Sequence, residues 1–274
     1  MYWAHVGNPL HADFGWMYQG RYNGIPYNYV GDFTPRRTVT YNPAYNYANE
    51  SDELPAEGLP IPDDVRIEGD PRPWPDQNSD HHMILVDTDR QELHELSVYD
   101  PDAMLIKQYS RWDLTSNALR PDGWTSADAA GLPVYPFLVK YDEAASGEIK
   151  HCLRFQLDNI WSHQWPGRHD AYSGGEAGPY YGMRVRMRAD VDITKYPGTD
   201  TPTSPINRAI LQCMKTYGMM LSDAGGNWFF SGAPDPRWDV DDLHLLVYYS
   251  PAECFEVVDT SSWMVDPDSA QARP

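Results

Sequence analysis

A mainly-β fold is what this sequence predicts: a β-sandwich or jelly roll with one or two short helices and long irregular loops. Three observations carry that expectation. From residue 81 onward, short apolar runs recur at close spacing with the period of two that half-buried strands require. Turn-forming residues punctuate them, with 24 Pro and 20 Gly in 274 residues. Only one segment has both the period and the end signals of a substantial helix. With 41% apolar and 13% aromatic residues, a chain of this length can bury a real core.

Taken in order, residues 1–78 are rich in Pro, Gly, Asn and Tyr, and Tyr41–Tyr47 and Leu59–Pro62 read as extended chain. Their aromatic density is too high for a solvated tail. The segment is expected to wrap over the domain formed by residues 79–262 and to bury Trp3, Phe14 and Trp16 there, with some rings lining a cleft instead. Residues 263–274 form a tail.

Met83–Val86 and Glu92–Tyr99, joined by the turn Asp87–Arg90, predict a hairpin. On its second arm Leu93, Glu95, Ser97 and Tyr99 share one face, and Glu92, His94, Leu96 and Val98 the other. Leu132–Tyr141 reads as a strand edged by Pro133 and Pro136. Ile149–Phe155 reads as another. Met183–Val191 alternates most cleanly, turning Met183, Val185 and Met187 inward and Arg184, Arg186 and Arg188 outward. The helix begins at Ser204, a good N-cap followed by Pro205. It carries Ile206, Ile210, Met214 and Tyr217 on one stripe and closes at Gly218. Met219–Leu221 and Trp228–Phe230 predict a hairpin turning at Asp223–Asn227. Asp239–His244 predicts a short helix with acids at its positive end, and Phe255–Val258 a last strand.

The formal charge is −19, from 40 acidic and 21 basic residues. Such a field repels phosphate backbones, so nucleic acid is not an expected partner. Lys is scarce beside Arg, a surface that suits either salty water or an ordinary acidic extracellular protein. No window approaches the roughly 18 apolar residues of a membrane span. The opening Met-Tyr-Trp-Ala-His shows no signal peptide, which leaves a cytosolic chain or one whose signal has been removed. Cys152, Cys213 and Cys254 form no metal-type pair and are expected as buried free thiols.

The densest chemistry lies in Trp112–Asp128, an irregular stretch holding Asp113, Asp122 and Asp128 with Arg120, Asn117, Trp112 and Trp124. Acids beside flat rings suit a sugar-binding cleft, and loops on a rigid scaffold carry most binding groups. The plainer alternative is a connection whose Trp residues plug the core.

Asp113–Pro133, Gly147–Phe155 and Ser231–Asp239, together with the Trp165–His169 turn, resemble an uncharacterised family of mostly secreted bacterial proteins across about residues 40–259. The resemblance implies secretion. It brings no activity and no catalytic residue with it, so function rests on the residues themselves.

Glycosidic hydrolysis of a polysaccharide needs two carboxylates, about 5–5.5 Å apart for retention and about 6.5–9.5 Å for inversion. Asp128, set among small apolar residues that would raise its pKa, is the first candidate and Asp113 the second, with Glu95 and Glu148 on or beside strands. For Asp128 a helix N-cap is the plain alternative. Trp112, Trp124 and Trp165 are candidate sugar-stacking surfaces, with Arg120 and Asn117 as polar contacts. His169, Arg168 and Tyr172 offer the parts of a polysaccharide lyase, namely a base, a carboxylate clamp and a proton donor. Arg168 and His169 are also the residue types that pin loops. A non-catalytic glycan-binding or extracellular structural protein is the third reading. No metal ligand set is expected: His81 and His82 point to opposite faces of a strand. No cofactor is expected either, although structural calcium suits an acidic secreted β protein. Neither a nucleophile elbow nor a phosphate-binding Gly loop appears.

Overall fold

The computed structural model describes residues 7–73, 80–171 and 178–273. Its main strands are β1 (His11–Asp13), β2 (Tyr27–Val30), β3 (Met83–Asp87), β4 (Glu92–Ser97), β5 (Gln108–Asp113), β6 (Leu153–Leu157), β7 (Arg184–Met187), β8 (Met219–Ala224), β9 (Phe229–Ser231) and β10 (Phe255–Val258). The helices α1 (Tyr141–Ser146), α2 (Pro205–Thr216), α3 (Val240–His244) and α4 (Pro251–Cys254) are short. The fold is mainly β, as the alternation predicts.

Four strands form one sheet in the order β5-β4-β3-β2, and six form a second in the order β1-β9-β6-β8-β7-β10. The hairpin predicted at residues 83–99 is present, pairing Met83 with Leu96 and Asp87 with Glu92. Both of its faces are buried. Ile84, Val86, Leu93 and Trp112 pack with Ile25, Ala127, Val134 and Leu138 on one side. Met83, Leu85, Leu96 and Tyr109 pack on the other with Val30, Val39, Leu59, Ile61 and Ile67, so the N-terminal segment covers that face. The same segment adds β2 in parallel to β3 and β1 in parallel to β9.

In the larger sheet Leu153, Phe155, Val185, Met187, Met219, Leu221 and Phe230 belong to one apolar cluster with Ile210, Leu211 and Met214 of α2. The Ser204 hydroxyl accepts from the Asn207 N–H, Pro205 opens the helix, and Gly218 follows at φ 73°. Each end signal read from the sequence is used. Asp239 caps α3 in the same way, accepting from the Asp242 N–H.

Three expected elements differ. Residues 132–141 are not a strand: Tyr135–Phe137 is a 3₁₀ turn and Tyr141 starts α1. Pro133 and Pro136 lack ladder donors, and the N–H groups of Val134 and Tyr135 are taken by the Glu95 carboxylate at 2.8–3.0 Å. The strand expected at Ile149 starts later, at Leu153, and that at Met183 ends at Met187, where the Arg188–Asp190 pair begins a turn. β8 and β9 are not hairpin partners, because β6 lies between them, parallel to β8 and antiparallel to β9. The glycines of Asp223–Asn227 supply a turn, but β6 is the strand that satisfies both backbones. Trp3 lies outside the described residues, whereas Phe14 is buried against Phe230 and Trp238.

All three cysteines are free and buried. Burial pushes the Cys152 thiol up to about 11. Among the described residues no helix is long and apolar enough to cross a membrane.

Candidate functional site

On the face of the six-stranded sheet away from α2, one guanidinium organises the interior. Arg154 alternates with Leu153 and Phe155 and so points away from the apolar cluster. Opposite it, β8 carries a bulge: Phe155 pairs with Leu221 but Gln156 pairs with Asp223, skipping Ser222. One extra residue reverses which face each later side chain occupies, so the bulge brings Asp223 onto the face of Arg154. Ser231, pairing with Asp13, shares that face.

Asp128 reaches Arg154 from the loop. Arg154 Nε and Nη2 donate to its two carboxylate oxygens at 3.1 and 2.8 Å, the same Nη2 donates to Asp223 at 2.9 Å, and Nη1 donates to Ser231 Oγ at 2.8 Å. The side chains of Arg154 and Asp128 are 1% and 0% exposed, and that of Asp223 is 18% exposed. Asp128 and Asp223 thus share one guanidinium nitrogen.

Local geometry fixes the loop. The Asp128 N–H donates to Ser126 Oγ at 2.9 Å, and that hydroxyl donates to the Leu132 carbonyl at 2.6 Å. The Ala130 N–H donates to the Ser222 carbonyl, tying the loop to β8. Gly131 sits at φ 68°, where a Cβ would lie 2.5 Å from the Trp124 carbonyl oxygen, so only glycine fits. On its other side the loop meets the four-stranded sheet, where His82 Nε2 donates to the Ala127 carbonyl at 2.8 Å and Nδ1 to Glu68 at 2.7 Å.

Burial pushes the Asp128 carboxyl up to about 7, against the opposing pull of Arg154. Burial raises Asp223, Glu95 and Asp13 in the same direction. His82 is the counterweight: although burial opposes its charge, Glu68 lifts it to about 10, so it is an imidazolium at neutral pH. Asp128 and Asp223 line a small cavity of about 80 Å³ together with Asp80, Ser97, Ser126 and Lys107. That space holds a few waters but no pyranose ring.

A much larger groove, about 1340 Å³, lies across the Asp80–His81 and Ser97–Val98 backbone from this cavity. Trp16, Tyr22 and Tyr45 line it, with Asp64, Asp100 and Asp102. One wall is a hairpin of Met17–Tyr18 with Arg21–Tyr22, turned through Gln19 and Gly20 at φ 51° and 80°, as a type I′ turn requires. Arg21 staples that hairpin to the next stretch by donating to the Gly69, Pro71 and Pro73 carbonyls. Trp16 and Tyr22 sit 5.4 Å apart at 60°. The Pro101–Ala103 turn also lines it, with its Asp102 and Ala103 N–H groups capped by Asp100. Lys107 marks the partition, its ammonium 5.7 Å from the Tyr45 ring and 5.0 Å from the Tyr47 ring.

The other predicted residues are placed as follows. Asp113 is exposed and accepts from Thr115 N–H and Oγ1 in its own turn; it lines neither cavity. Glu148 is exposed and paired with Lys150. Arg120 lies between the rings of Trp112 and Trp124, at 5.7 and 5.5 Å, and donates to the Thr125 and Glu50 carbonyls and to Asp52. Those indoles therefore clasp a guanidinium. Trp165 donates to the Ser269 carbonyl, and Asn117 is exposed with its carbonyl bonded to Ala270. Arg168 is buried and spent on the Arg120 and Pro267 carbonyls and Asp268. His169 lies 3.2 Å from the Ala129 carbonyl and 3.4 Å from Glu50. Tyr172 lies outside the described residues. Among the described residues no group of three or more His, Cys, Asp or Glu is arranged to hold a metal ion.

Reading the sequence missed Arg154 and Asp223 as partners of Asp128, and Asp64, Asp100 and Asp102 as groove acids. The one signal that pointed toward the groove was the Tyr- and Trp-rich composition of residues 1–78. No protein-family model matches the chain, and no curated protein or solved structure matches it.

Proposed function

We propose that the chain binds a saccharide chain in the groove bounded by Trp16, Tyr22 and Tyr45. The carrying observation is the groove itself: it is large enough for several sugar rings, and both half-buried aromatic rings and carboxylates line it. Apolar C–H faces of a pyranose pack on such rings while the hydroxyls donate to the acids.

Hydrolysis of the bound chain is a second reading, favoured by one observation. Asp128, held mostly protonated below about pH 7, and Asp223 accept from the same guanidinium nitrogen, which sets two carboxyl groups side by side as glycosidic hydrolysis needs. For that chemistry Asp128 would donate a proton to the leaving oxygen, and Asp223, the more exposed of the two, would attack the anomeric carbon. The cavity beside them is smaller than a sugar ring, so this reading requires the loop around Ala127–Ala129 to open.

Affinity electrophoresis through gels containing neutral polysaccharides, with reducing ends followed in parallel, tests both readings. Retardation without new reducing ends supports binding alone. Reducing ends that vanish in Asp223→Asn, with retardation kept, support hydrolysis. Migration unchanged by every polysaccharide refutes the saccharide reading.

A further inference from the structure

We infer that a bound saccharide chain runs out of the groove past Arg66 and onto a second aromatic surface, the exposed ring of Tyr29 on β2. The inference rests on the saccharide reading above and lengthens its site. Arg66 lines the groove, and its Nη2 donates to the Tyr27 carbonyl at 3.1 Å. The backbones are joined as well. The Arg66 N–H donates to Asn28 Oδ1 at 2.8 Å, and Asn28 Nδ2 donates back to the Arg66 carbonyl at 3.0 Å. Groove wall and strand are therefore one piece. The Arg66 side chain makes only the Tyr27 bond among the described residues, so its other N–H groups are left for the hydroxyls of a passing sugar.

Tyr27 and Tyr29 share one face of β2, while Asn28 and Val30 between and beside them turn inward and are buried. Tyr29 is 61% exposed, yet it is held in place. The Tyr27 ring meets it edge-on, 5.3 Å away at 76°, and its hydroxyl shares a hydrogen bond of 3.1 Å with the Tyr135 hydroxyl. Tyr135 is fixed in turn by the Glu95 carboxylate at its N–H, by the Tyr27 ring at 5.0 Å and by the Lys140 ammonium 4.6 Å from its ring centre. A ring already confined to one orientation loses little entropy when a ligand stacks on it. A protein partner would call for a contiguous apolar patch. Here a single fixed ring stands among hydroxyls and a guanidinium, which matches the apolar face and polar rim of a pyranose.

Titration calorimetry of the native chain and its variants with a trimer-to-dodecamer series of dextran and of a mixed-linkage β-glucan tests this. Tyr29→Ala is expected to weaken the dodecamer about tenfold, the scale of one aromatic contact, and to leave the shortest oligomer that the native chain holds unchanged. Tyr135→Phe keeps the ring but removes the bond that fixes Tyr29, and is expected to give a smaller loss with the same dependence on length. Tyr248→Ala removes another exposed ring, one that lines neither cavity, and is expected to change no affinity. No loss in Tyr29→Ala, a loss equal at every length, or an equal loss in Tyr248→Ala overturns the extension. The saccharide reading still stands in those cases if Trp16→Ala weakens every oligomer. Binding of no oligomer, or undiminished binding in Trp16→Ala, overturns both.

Discussion

Arg154 and Asp128 meet through two parallel hydrogen bonds, at 3.1 and 2.8 Å, with neither side chain reaching solvent. The pair joins the six-stranded sheet to a loop whose next contacts, His82 to Ala127 and Glu95 to Val134 and Tyr135, lie on the four-stranded sheet. Residues 127–135 are therefore a bridge between sheets, and its polar anchors are fully buried or nearly so.

Removing the guanidinium should be costly. Arg154→Leu leaves Asp128 and Asp223 without their shared cation, and breaking a buried pair costs about 3–5 kcal/mol. Adding Asp128→Asn should recover part of that loss, because the second change removes one of the two carboxyl groups left without their cation. Chemical denaturation of the two single variants and the double variant gives the coupling directly. Strict additivity would contradict the described network.

The Asp128 carboxyl also sets a pH dependence. Its pKa is about 7 in the folded chain against 3.8 for an ordinary aspartate, so the folded state holds a proton that the unfolded chain releases. Stability is expected to fall as pH rises from about 4 to about 7, by an amount on the order of a few kcal/mol from this group. Asp128→Asn should flatten that part of the profile. An unchanged slope in this variant would show that Asp128 titrates normally.

His82 acts in the opposite direction and at higher pH. Glu68 lifts it to about 10 from 6.5, so its stabilising charge is fully present below about pH 6.5 and is lost as pH rises toward 10. Glu68→Gln should remove this alkaline loss of stability. Melting temperatures measured between pH 6 and 10 for both proteins check it.

Glu95 accepts from two backbone N–H groups inside the core, and the Arg168 guanidinium holds Pro267 and Asp268 of the tail. Glu95→Ala should cost about 2–6 kcal/mol, since each of the two stranded donors costs about 1–3. Arg168→Ala should free the chain end, making residues 263–274 cleavable by protease while the rest of the chain stays resistant. Equal protection of that end in the variant would contradict the tether.

Much of the scaffold was legible because it is governed by local rules. The 83–97 hairpin, the α2 caps and the last strand follow from alternation, Ser204–Pro205 and a closing Gly218. What escaped depends on contacts between distant segments. The β8 bulge that brings Asp223 to Arg154 has no sequence signature, and the insertion of β6 between β8 and β9 overrides an apparent hairpin. Glu95 turned Leu132–Tyr141 away from a strand by capping two of its N–H groups from another sheet. In the site, the prominence of Asp128 was visible but its partners were not. The Trp112–Asp128 loop, whose indoles suggested a sugar platform, spends Trp112 and Trp124 on Arg120. The aromatic and acidic groove instead came from residues 16–103, where the composition alone had hinted at rings near a cleft.

Calorimetric titration of the native chain and of Trp16→Ala with a series of neutral and amino-sugar hexasaccharides is the decisive test of saccharide binding in the groove. Saccharide binding in the groove predicts measurable affinity for at least one hexasaccharide and a loss of about tenfold or more in Trp16→Ala, as expected when a stacking ring is removed. Undiminished binding in Trp16→Ala, or no binding by the native chain, would contradict it.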